Sequence, residues 1–143
     1  MSYRRLTAAA VAGTVVYFAL GFAVFGKFIA ADYRPYSAVY RPAQEILRVF
    51  PIGIAATFVG IFVLAAMYAK SYRRGSGASE GARFGALVGV FAVCAFVLHN
   101  YVNLNIGIKL TVEQAIGYFI EWLAVGVVFG LTYKSAPETH GPR

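Results

Sequence analysis

The sequence predicts an all-α protein, an integral membrane bundle of four antiparallel helices in one domain covering residues 1–143. Three observations predict it. The stretches 6–26, 49–69, 84–108 and 114–133 hold one charged residue among them, Glu121. Each is close to the ~20 residues that a helix needs to cross a ~30 Å hydrocarbon layer. Composition agrees, with 59% of residues hydrophobic and 13% charged, where a soluble domain has about one quarter charged. Finally, the basic residues flank the apolar stretches and form no single stripe. The net charge of +7 therefore belongs to membrane topology, and nucleic acid is excluded as a partner. The lipid bilayer is the partner that the composition requires.

The first span, about 6–26, follows Arg4 and Arg5. It exceeds the ~7–15 residues of a signal-peptide core, and Ile29 stands where cleavage after Ala31 would need a small residue. It reads as a retained helix, and Arg4-Arg5 is too bare a pair for twin-arginine export. The outer loop 27–48 repeats one triplet seven residues apart, Tyr33-Arg34-Pro35 and Tyr40-Arg41-Pro42. Two prolines prevent one uninterrupted helix there, and a helix can restart after Pro42. This loop reads either as a docking surface or as a connector held by tyrosine anchors and snorkelling arginines.

The second span, about 49–69, has Pro51 suited to its first turn. The basic loop 70–83 contains Arg73-Arg-Gly-Ser-Gly-Ala-Ser79, whose composition predicts a flexible hairpin connection open to cleavage. The third span, about 84–106, can end at Gly107. Thr111-Val-Glu-Gln114 fits a capping box, with both side chains satisfying free backbone donors. The fourth span would then run from about 112 to 133.

Lys and Arg number eight on the side of the N-tail, middle loop and C-tail and five on the other. The positive-inside rule places both termini in the cytoplasm, here of a bacterial inner membrane. Tyrosines gather at both sets of span ends, as interfacial rings do. Tyr33, Tyr36, Tyr40, Tyr101 and Tyr118 stand at the outer ends, and Tyr3, Tyr68, Tyr72 and Tyr133 at the inner ones.

Glycines recur every four residues at Gly81, Gly85 and Gly89, and again at Gly126 and Gly130; Ala9 and Gly13 repeat the spacing on the first span. Such faces let backbones approach closely. They serve packing inside one bundle or contact with another subunit, and spacing does not distinguish the two.

Polar residues at bilayer depth are the candidate site. Glu121 lies about 10 Å inside its apolar run at 1.5 Å per residue. His99 and Asn103 on the third span, Thr57 on the second and Tyr17 on the first fall in the same half of the membrane. An ionised group in hydrocarbon is costly, so Glu121 must be protonated, paired or near water. His99 is the expected partner, since an imidazolium would keep the carboxylate charged.

Other chemistries are bounded. Cys94 is the single cysteine and is expected to be a small core residue; no C-x-x-C exists, so disulfide relay chemistry is excluded. Bis-histidine haem needs a second histidine at bilayer depth, and His140 is in the tail. No zinc ligand set, P-loop or G-x-S-x-G is present. No catalytic residue, metal or cofactor is expected.

Phe25-Gly-Lys-Phe28 with Asp32-Tyr33, Glu80-Gly-Ala-Arg-Phe-Gly-Ala-Leu-Val-Gly89, and Gly126-Val-Val-Phe-Gly130 carry a resemblance. With these patterns the chain resembles small, four-span, uncharacterised bacterial inner-membrane proteins over most of its length. The resemblance implies an antiparallel four-helix membrane bundle and brings no activity. Two functions are expected to compete. One is a non-enzymatic accessory or assembly subunit packed against other membrane subunits. The other is a small homo-oligomeric transporter or proton-coupled carrier using Glu121 and His99.

Overall fold

A computed structural model describes residues 3–71 and 77–133. Four long helices dominate it: α1 (Tyr3–Phe28), α2 (Ala43–Ser71), α3 (Ala78–Asn103) and α4 (Ile108–Tyr133). All four are long and apolar enough to cross a membrane, and no strand occurs among the described residues. The protein is an all-α, multi-pass membrane bundle. The 73–79 loop expectation lies largely outside the described residues. Of that stretch, Gly77 has φ 50°, a conformation that glycine adopts freely, immediately before α3.

Helix ends differ from the sequence expectation at three points: Pro51, Gly107 and the 111–114 capping box. Pro51 lies well inside α2, because the helix already starts at Ala43. The carbonyl of Pro42 accepts from the N–H groups of Glu45 and Ile46 at 2.9 and 3.0 Å, so the first turn forms before Pro51 is reached. α3 ends at Asn103, and Gly107 instead precedes α4. No capping box forms at 111–114. Thr111 is already helical, and its hydroxyl donates to the Gly107 carbonyl at 3.1 Å, while Gln114 is engaged elsewhere.

Two helices contain a widened, π-helical turn. In α1 it spans Val24–Phe28 and ends with the Ile29 N–H donating to the Val24 carbonyl at 3.0 Å. In α3 it spans Val93–Leu98. Such turns shift the register of a helix and recur at functional sites. A short 3-10 helix, Ala30–Tyr36, then leads away from α1.

The lateral order of helices is α2, α1, α4, α3, and α2 barely approaches α3 in backbone terms. Near the ends that bear the chain termini, all four converge. Leu6 and Ala9 of α1, Ile61, Ala65 and Tyr68 of α2, and Val125, Phe129 and Tyr133 of α4 form one buried cluster. Phe84 of α3 joins it, with its ring 5.3 Å from that of Tyr68. Gly13 faces Ile61 and Phe129, each 3.1 Å from where a β-carbon would sit.

The glycine faces of α3 and α4 are spent on each other. Gly81, Gly85, Gly89, Gly126 and Gly130 are all buried. A β-carbon at Gly85 would lie 2.5 Å from the Trp122 carbonyl oxygen, and one at Gly126 would be 2.5 Å from the Gly85 α-carbon. Gly81 and Gly130 meet backbone just as closely, against Gly126 and Gly77, whereas Gly89 faces the Phe119 ring. Backbone-to-backbone packing of this kind is the main attraction available to helices in lipid.

At the opposite end a second cluster forms from Ile29, Ile106 and Leu110 with Phe25, Tyr33, Tyr36, Tyr40 and Leu104 around it. Here α2 stands apart, with no buried position from 43 to 60. The bundle is therefore closed at the terminal end and splayed at the loop end.

Candidate functional site

The splay leaves a cavity of about 660 Å³ between the two clusters. Its wall takes Tyr17, Phe18, Gly21, Phe22, Phe25 and Gly26 from α1, and Ile46 and Phe50 from α2. Phe96, Val97 and Asn100 come from α3, and Gln114, Tyr118 and Glu121 from α4. Tyr33 and Tyr40 close it from the loop. Both π-helical turns supply wall residues, Phe25 and Gly26 from one and Phe96 and Val97 from the other. Phe50, Phe96 and Asn100 are also exposed on the outside of the bundle. α2 and α3 barely meet, so the bundle is open between them beside these residues. The volume is within the ~300–1,000 Å³ usual for ligand pockets.

Gln114, Tyr118 and Glu121 follow the i, i+4, i+7 spacing that puts residues on one helix face. Glu121 is 1% exposed, and its Oε2 has no hydrogen-bond partner. Gly21 of α1 lies directly opposite: a β-carbon there would be 2.7 Å from Glu121 Oε1. The Tyr17 phenol is close enough to interact with the same carboxyl, and its ring lies 5.1 Å from that of Trp122. The Tyr118 ring lies 5.0 Å from that of Phe25, tilted by 44°.

The roof is tied to α4 by polar contacts. The Gln114 side-chain amide donates to both Tyr33 and Tyr40 hydroxyls, at 2.9 and 3.1 Å. The two Tyr-Arg-Pro triplets thus bring their tyrosines to one shared donor, with the rings 4.9 Å apart edge to face. The Gly107 N–H donates to the Tyr36 hydroxyl at 3.0 Å, and Lys109 pairs with Asp32 at 2.6 Å. Burial pushes the Tyr33 phenol up to about 12, against the opposing pull of the Gln114 hydrogen bond. The loop is a strap across the cavity. Its tyrosines Tyr33, Tyr36 and Tyr40 turn inward and are half-buried. Tyr68 and Tyr133 are likewise buried in the core, while Tyr3 and Tyr101 are exposed.

Of the sequence candidates, the structure brings Glu121 and Tyr17 together. It does not bring His99 to them. His99 is exposed on α3, does not line the cavity and makes no ion pair with Glu121. The wide turn at Val93–Leu98 directly precedes it and alters the register that a regular helix would have. Asn103 is exposed, and its amide donates to the His99 carbonyl at 3.0 Å. Thr57 is half-buried and lines no part of the cavity. Cys94 is exposed and is not a core residue. It lines a shallow apolar groove between α3 and α4 together with Val90, Ile116 and Phe119.

Sequence reasoning missed Gly21, Gln114 and the role of Tyr118. The α4 spacing was the available signal for Gln114 and Tyr118; Gly21 had none, because its use depends on how α1 packs on α4. No group of three His, Cys, Asp or Glu able to hold a metal ion occurs among the described residues. The chain matches no protein-family model, no curated protein and no solved structure.

Proposed function

We propose that this chain is a small carrier of a bacterial inner membrane, with both termini in the cytoplasm, that binds a membrane-soluble ligand in the Glu121 cavity. One observation carries the reading. A carboxyl group that is 1% exposed, with an oxygen lacking any partner, lines a cavity of about 660 Å³. A buried polar group without a partner is costly, and intramembrane acids mark ligand or proton pathways. The excess of Lys and Arg on the terminal side supports the orientation, which puts the cavity in the outer half of the bilayer. His99 has no part in this site. A four-helix chain works as a carrier most simply as a homo-oligomer, and the loop-side half of α2 is the surface left for a second copy.

A second reading is favoured by that same half of α2, in which no position is fully buried within the chain. It is an accessory subunit whose α2 packs into a larger membrane complex. The glycine faces do not support this reading, because α3 and α4 consume them.

Native mass spectrometry after gentle extraction separates the two. A monomer or homodimer carrying a small molecule, lost in Glu121→Gln at unchanged melting temperature, supports the carrier. A stoichiometric protein partner, with no small molecule, supports the subunit. A Glu121→Gln protein that merely melts earlier assigns Glu121 to a clasp with Tyr17.

A further inference from the structure

The cavity wall has a definite chemical character. More than half of its residues are aromatic, and no Lys, Arg or His is among them. Aromatic faces carry partial negative charge and attract cations. Glu121 is the one carboxyl in the wall, and its Oε2 is buried and unpartnered. An anion would find no cationic donor. A neutral apolar molecule would leave Oε2 without a partner at full desolvation cost. A bare metal ion needs several oxygen ligands at about 2.0–2.6 Å, and no such acidic cluster occurs among the described residues. Lys27 sits 5.4 Å over the Phe22 ring and makes no ion pair with Glu121.

We propose that the ligand is a lipophilic organic cation, an ammonium bearing apolar or aromatic substituents, and that its binding displaces the proton held by Glu121. This deepens the carrier reading above and rests on it. The exchange balances. The neutral carboxylic acid and the cation give a carboxylate–ammonium pair, and one proton leaves to bulk water. Oε2 has almost no accessible surface in the empty cavity, so the Glu121 side chain turns toward the ammonium as the pair forms, and the cation sits among Tyr17, Phe25, Phe96 and Tyr118.

The titratable groups facing Glu121 are Tyr17 from α1 and Tyr118 from its own helix, with Tyr33 and Tyr40 above them. α2 and α3 bring none to the cavity. Phenols hold their protons near pH 7, so Glu121 is the one acid in the wall that can give up a proton to a bound cation. Cation affinity then rises about tenfold per pH unit wherever the empty site is protonated.

The test titrates benzyltrimethylammonium and its neutral isostere neopentylbenzene into the full chain in lipid nanodiscs. Trp122, the single tryptophan, reports binding by fluorescence, and a pH indicator in weak buffer reports proton release. The expected result is roughly 30-fold tighter binding of the cation than of the isostere, with one proton released per cation. Glu121→Asp retains proton release, whereas Glu121→Gln abolishes it. Equal binding of both probes without proton release overturns the cation assignment and leaves the cavity as a ligand site. Binding of neither probe overturns the ligand-site reading as well. The wild-type proton measurement stands even if Glu121→Gln fails to fold.

Discussion

Gly21 on α1 faces Glu121 on α4 with no side chain between them, and a β-carbon at Gly21 would lie 2.7 Å from Oε1. The atom in the way is the far end of a flexible side chain, which can rotate aside. Gly21→Ala should therefore cost less than about 1 kcal/mol in unfolding, as substitutions that force no backbone change do. It should still move the carboxyl that the ligand meets. A fall in probe affinity of about tenfold, equivalent to about 1.4 kcal/mol, with melting near wild type is expected. Unchanged affinity would remove Gly21 from the site.

The α3–α4 seam makes the opposite prediction. The atoms facing Gly81, Gly85 and Gly126 are backbone, so an added methyl group can be accommodated only by separating the helices. Gly85→Ala and Gly126→Ala should each destabilise by about 1–3 kcal/mol, the usual cost of overpacking. Gly53 and Gly60 on α2 are the controls, since a β-carbon at either meets nothing within 4 Å. Alanine there should be neutral, or stabilising by up to about 1 kcal/mol through reduced backbone freedom. Denaturant titration in mixed micelles orders the four variants. Equal effects at all four sites would refute the close-packed seam.

Gln114 holds the strap, because one amide satisfies two phenols that come from separate Tyr-Arg-Pro triplets. Gln114→Leu removes both hydrogen bonds and leaves two half-buried hydroxyls to find new partners. A loss of about 1–3 kcal/mol is expected, localised to residues 29–42 as faster amide hydrogen exchange. Lys109→Ala breaks the Asp32 pair, whose lysine side chain is 72% exposed, and should leave stability near wild type, because solvent screens exposed pairs. If Lys109→Ala loosens the loop as much as Gln114→Leu, the strap is electrostatic and the amide is incidental.

The four spans were legible because a chain in lipid must close its backbone hydrogen bonds within each helix, which leaves long charge-free runs as a signature. Glu121 was legible for the same reason, as the single charge in such runs. Its partner was not. Matching depth suggested His99, but depth does not say which way a side chain faces; the wide turn at Val93–Leu98 alters the register of α3, and a bond from residue i to i−5 has no reliable sequence mark. The Tyr-Arg-Pro repeat was visible, yet its meaning depends on Gln114, which local spacing assigned to a capping box. Long-range hydrogen bonds such as Gln114 to Tyr33 join residues 81 apart in sequence, and one sequence carries no direct record of that pairing.

The strap should also respond to alkali. Burial pushes Tyr33 from its ordinary 10.0 to about 12 in the folded chain. Between these values the unfolded chain has released the phenolic proton and the folded chain still holds it. The unfolded state then binds fewer protons, so stability falls as pH rises. The Tyr33 contribution is fully present below about pH 10 and is lost as pH passes through 12. Wild type and Tyr33→Phe should differ in melting temperature by a constant amount from pH 7 to 9. That difference should then shrink in the wild type's disfavour from pH 10 to 12. The comparison isolates Tyr33, because the other tyrosines titrate in both proteins. A difference that stays constant to pH 12 would mean that Tyr33 is open to water and that the strap does not seal the cavity.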